Sequence, residues 1–146
     1  VASKRITAQQ LGLAEGLAEA SDTALFKWLV ASFLFGKPIQ QSIAEQAYRI
    51  IVDQHQRDTP QKLGSSSKAE LVRMLGEARY VRYDLSTAER LLKLCRKLQE
   101  QYDGKLSVMH RQSSSRADFE QRLMEFEGIG PKTVEIFMHE AAEGLY

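Results

Sequence analysis

Apolar side chains recur three and four positions apart along almost the whole chain, the spacing of one helical face, and strict alternation is rare. A first helix is predicted from about Thr7 to Ala20, rich in Ala, Leu and Glu. Asp22 is expected to cap a second, Thr23 to about Phe35, that is apolar nearly all round: Leu25, Phe26, Trp28, Leu29, Val30, Phe33, Leu34 and Phe35. Such a helix belongs at the buried centre of a domain. Gly36-Lys37-Pro38 ends it, and a third helix follows to about Gln54 with Ile43, Ala47, Ile50 and Ile51 inward. Residues 58–66 read as a connector. Ser67 with Glu70 forms a capping-box pattern before a helix that uses Leu71, Met74 and Leu75. After a short link at 80–84, Ser86 with Glu89 is a second such pattern. It opens a long helix with Leu91, Leu94, Cys95, Leu98 and Tyr102 inward, stopped by Asp103-Gly104. Residues 105–115, with three consecutive serines, read as a mobile loop. Two final helices, about Arg116 to Phe126 and Pro131 to Ala142, are joined by Glu127-Gly128-Ile129-Gly130. The pattern is all-α, without strands or internal repeats.

Length and composition narrow the class. The chain has 146 residues, enough for one domain with its own core, and its 43% apolar and 27% charged content excludes bulk disorder. Net charge is only +1, but residues 62–132 hold fourteen basic against ten acidic side chains, compatible with phosphate contacts. The single cysteine, Cys95, rules out an intramolecular disulfide framework and a four-cysteine zinc or iron–sulfur site within the chain. It points to a reducing compartment, and the expected location is cytoplasmic. The apolar run Leu25–Phe35 is interrupted by Lys27 and too short to span a bilayer, and Val1–Gln10 is too polar for a signal peptide.

Specific chemistry is concentrated in Phe126-Glu127-Gly128-Ile129-Gly130-Pro131-Lys132-Thr133. An apolar residue sits between two glycines, directly before a proline suited to the first turn of a helix. The glycines open dihedrals closed to other residues and remove side chains from the approach surface. Ile129 can turn inward and staple the two helices. The N–H groups of Gly130, Lys132 and Thr133 are then expected to point outward at a helix N-terminus, where donors and dipole together hold a phosphate. Such a grip positions a duplex without reading its sequence.

This segment resembles the hairpin of the endonuclease III-like branch of the helix-hairpin-helix (HhH-GPD) DNA glycosylases, typically Leu-Pro-Gly-Val-Gly-Arg-Lys-Thr-Ala. Residues 94–104 resemble the same branch's long helix with its glycine stop, and Leu25–Phe35 its buried central helix. Over residues 20–142 the resemblance implies an orthogonal multi-helix barrel ending in a helix-hairpin-helix at about 116–142. It places Lys132 where bifunctional members carry the nucleophile that attacks sugar C1′ and forms a Schiff base. A lysine in a helix's first turn faces the positive dipole end, which opposes its charge by ~0.3–1 kcal/mol and favours the neutral amine. It also makes the turn after the central helix, with Lys37 and Gln40, the candidate for filling the gap left by an extruded base. Main-chain carbonyls of Met124, Phe126 and Ile129 become candidates for holding a monovalent cation. This chain departs from the branch in four ways: residues 133–146 contain neither the catalytic aspartate nor iron–sulfur cysteines, Glu127 stands where proline is usual, and the segment before the hairpin is longer and more polar.

Other residues carry weaker signals. Tyr80, Arg82 and Tyr83 interleave aromatic and basic character, which suits either nucleic acid or anchoring of the preceding helix. His55, His110 and His139 share no metal-ligand spacing, and Ser113–Ser115 have no base nearby in sequence. The expected function is binding of double-stranded, damaged DNA in base-excision repair, as a glycosylase/AP lyase if Lys132 is catalytic. The alternatives are a non-catalytic helix-hairpin-helix module and a helical protein–protein adaptor. No cofactor beyond the monovalent cation, and no membrane, is expected.

Overall fold

Residues 5–146 are described by a computed structural model, and all regular structure among them is helical. The predicted first helix is cut to α1, Ala14–Ala18. The chain before it runs in turns through Gly12 at φ 76°, and Ala20 at φ 53° closes it. Helix α2, Asp22–Phe35, is the buried centre, and its Trp28 indole N–H donates to the Phe137 carbonyl at 3.1 Å. Its cap is Ser21, which accepts from the Ala24 N–H, and not Asp22 as expected.

Helix α3, Gln41–Tyr48, continues into a π-helical segment, Arg49–Gln54. There the wider turn puts Ile50, Ile51 and Val52 all inside. Ile43, expected inward, is only half-buried, and Ala44 takes its place in the core. The supposed connector contains α4, Pro60–Gly64, started by Pro60 at its first turn and capped by Thr59. Helix α5, Lys68–Glu77, opens with the predicted Ser67–Glu70 capping box, both bonds present.

The long helix, α6, spans Asp84–Tyr102 and starts two residues before the predicted box. Ser86 donates to the Tyr83 carbonyl, and Glu89 binds Lys68, so neither caps it. Asp103 in the left-handed region ends it, as predicted. The expected loop at 105–115 instead contains α7, Leu106–Gln112, with Leu106 and Met109 buried. Asp22 is its partner: one carboxylate oxygen accepts the Ser107 N–H at 2.9 Å and the other the Ser107 hydroxyl at 2.8 Å. Helices α8, Arg116–Met124, and α9, Pro131–Leu145, complete the chain.

Buried apolar residues from Ala8 to Ala141 form one continuous cluster. Helix α2 packs on α3 and α9, while α6 packs on α4 and α5. This brings the end of α2, the basic flank of α6 and the α8–α9 junction side by side. Among the described residues no helix is long and apolar enough to cross a membrane.

Candidate nucleic-acid interface

The α8–α9 junction is built on a tight turn. The Ile129 N–H donates to the Phe126 carbonyl at 3.1 Å, with Gly128 third in the turn at φ 89°. That sign at that position is what a type II turn needs. A Cβ on Gly128 would also lie 2.8 Å from Arg90 Cδ and 3.0 Å from the Phe33 ring. Gly128 is therefore fixed twice, by backbone and by packing. Phe126 and Ile129 are buried on either side, so Ile129 does turn inward.

Gly130 behaves differently from expectation. Its φ of −111° and ψ of −171° are extended backbone open to any residue, so no unusual dihedral is needed. Its contribution is bareness: a Cβ there would meet nothing within 4 Å. It is the N-cap of α9, with no side chain to cap, and Pro131 follows at the first turn. Its carbonyl accepts the Val134 N–H at 3.1 Å. Among the described residues the N–H groups of Gly130, Lys132 and Thr133 find no acceptor.

The candidate side chains divide. Thr133 is buried, its hydroxyl lying against Gly36, where a Cβ would come within 2.3 Å of Oγ1. Gly36 is thus the residue that lets the end of α2 meet the start of α9. Lys132 is exposed and makes no ion pair among the described residues. It edges a cleft of about 170 Å³ with Arg5, Phe35, Gln41 and Ile136, and among the described residues no carboxylate lines it. Glu135 is engaged by Arg5 at 3.4 Å. Gln40 is exposed as the N-cap of α3, without a side-chain capping bond. Lys37 is folded back, its Nζ 5.3 Å from the Phe33 ring centre. Burial first, and the Arg90 charge second, lower the pKa of its amine.

Sequence reasoning missed the flank of α6. Arg90, Lys93 and Lys97 lie at helical spacing beside the inward stripe of Leu91, Leu94 and Leu98, and that register was the available signal. Lys93 binds the Glu127 carboxylate at 2.9 Å and holds its pKa below the usual carboxylate range. Lys97 donates to the Glu125 carbonyl at 2.8 Å and stands over the Phe126 ring at 5.0 Å. The turn is thereby tied to α6.

Of the three carbonyls considered for a cation, that of Phe126 closes the turn, while those of Met124 and Ile129 accept no hydrogen bond among the described residues. No cluster of three or more His, Cys, Asp or Glu suited to a metal occurs among the described residues. His55 faces Glu77 at 3.6 Å, and His110 stacks edge-on against Phe119 and Tyr146. Tyr80 is fully buried and its hydroxyl pKa is pushed up to about 12 by burial, so it anchors the end of α5. No family model matches the chain, and neither does any curated protein or solved structure at a significant level.

Proposed function

We propose that the chain binds duplex DNA by its phosphate backbone, through the 127–130 turn and the first turn of α9, as a helix-hairpin-helix protein of base-excision-repair type. The observation that carries this reading is the start of α9: three N–H donors without an acceptor among the described residues, above a glycine that nothing covers. A phosphate oxygen satisfies those donors and gains from the dipole of a 15-residue helix. Lys37, Arg90 and Lys132 stand near the same turn and make no ion pair among the described residues, whereas Lys93 is neutralised by Glu127. A monovalent cation on the Met124 and Ile129 carbonyls would strengthen the same grip. Excision is the second reading, and it rests on the exposed Lys132 amine, which makes no ion pair among the described residues.

Gly130→Asp tests the grip without disturbing the fold. The site tolerates a side chain in both space and dihedral, and an Asp N-cap normally stabilises a helix by accepting its first N–H groups. The variant should melt at or above the wild-type temperature. It should lose about tenfold or more in duplex affinity, ~1.4 kcal/mol, because the carboxylate takes the donors and repels phosphate. Fluorescence anisotropy on a labelled duplex reads this directly. Equal affinity in wild type and variant at low salt removes the hairpin from the account.

A further inference from the structure

Lys37 and Arg90 both lie by the Phe33 ring, which packs against Gly128. The Lys37 amine sits over one part of the Phe33 ring system, and the Arg90 stem and the same ring close in on Gly128. Both cations are half-buried. The acids whose charge reaches Arg90 are already engaged, Glu89 by Lys68 and Glu127 by Lys93. Lys37 makes no ion pair among the described residues. Two like charges drawn out of water beside each other raise the free energy of the unbound protein, and an anion placed between them removes that cost.

We propose that Lys37 and Arg90 form a second phosphate seat, which takes a backbone phosphate of the same duplex that the α9 N-terminus holds. This rests on the DNA-binding reading and changes the role of Lys37 within it. A lysine folded onto Phe33 and paired with an arginine is placed to neutralise a phosphate, not to wedge between bases. The seat contributes affinity and orientation and is indifferent to the state of any base.

The experiment is a salt titration of duplex binding by wild type, Lys37→Gln, Arg90→Gln and the double variant, on an intact duplex and on one with an abasic site. Each single variant should make the slope of log affinity against log salt shallower by about 0.9, and the double variant by about 1.8. The ratio of abasic to intact binding should not move. Arg90→Lys keeps the charge and should restore most of the slope, which separates charge from packing against Gly128. An unchanged slope in the double variant overturns the seat, and if Gly130→Asp still cripples binding the hairpin reading survives it. A collapse of abasic preference at constant slope overturns the seat in favour of a wedge. Inorganic phosphate, tested without DNA, should raise the melting temperature of wild type and leave that of the double variant unmoved. Such a rise with duplex slopes unchanged in the variants gives the seat to free phosphate and overturns the duplex proposal. Failure of wild type to bind any duplex overturns both.

Discussion

Cys95 shows how far a single residue could be placed from sequence. Its helical register put it inward, and it is fully buried on α6, its pKa pushed up to about 12 from an ordinary 9.0 by burial. The consequence has a definite sign. As pH rises past about 9, the unfolded chain loses this proton while the folded chain keeps it. The unfolded state then binds fewer protons, so stability falls with pH across the window from about 9 to about 12. Denaturant unfolding of wild type and Cys95→Ala at rising pH should show a steeper alkaline loss in wild type, and a thiol reagent should label Cys95 only after unfolding. Rapid labelling of the native chain would contradict the burial. The glycines of the turn were legible only by type. Gly128 does need its positive φ, but Gly130 does not, because which residue carries the turn depends on what Arg90 and Phe33 press against it.

Elements were legible where local chemistry decides them and obscure where a distant residue does. The Ser67–Glu70 box and the inward face of α6 follow from neighbours three and four positions away. Helix α7 does not. Residues 105–115 look like loop because no capping residue precedes Leu106 and the serines cluster at the end. The cap comes from Asp22, 85 residues earlier. The same long-range bond shows what the Asp22 carboxylate does instead of capping α2, whose cap is Ser21. Asp22→Ala should therefore cost ~0.5–2 kcal/mol and show its local effect in α7 rather than in α2. Hydrogen exchange would reveal this as faster opening of residues 106–112, with α2 amides changed only by the global loss. The π-helical segment at Arg49–Gln54 was equally hidden, since it shifts an apolar face that helical periodicity had assigned to Ile43.

At the scale of the whole molecule, packing assembles the candidate site from segments far apart in the chain. The α2 end supplies Phe33 and Lys37, α6 supplies Arg90 and Lys93, and the α8–α9 junction supplies the donors. Sequence alone located the last of these, because a turn's chemistry is local, but not which of its glycines needs a positive φ. The α6 flank was invisible until folding laid it against the turn. The same assembly bears on catalysis. Schiff-base chemistry needs Lys132 neutral at the moment of attack and an acid or base to manage the departing group. Lys132 is exposed, no carboxylate lines its cleft among the described residues, and Glu135 is paired with Arg5. On the proposed reading the chain should retain abasic-site duplex in a gel shift, yet yield no covalent product with borohydride. Lys132→Gln should lower affinity only modestly, since one charge beside the phosphate is a fraction of the grip. A borohydride-trapped complex in wild type that disappears in Lys132→Gln would reverse this expectation and make Lys132 the nucleophile. Trapping that persists in the variant would place the reacting amine elsewhere on the chain.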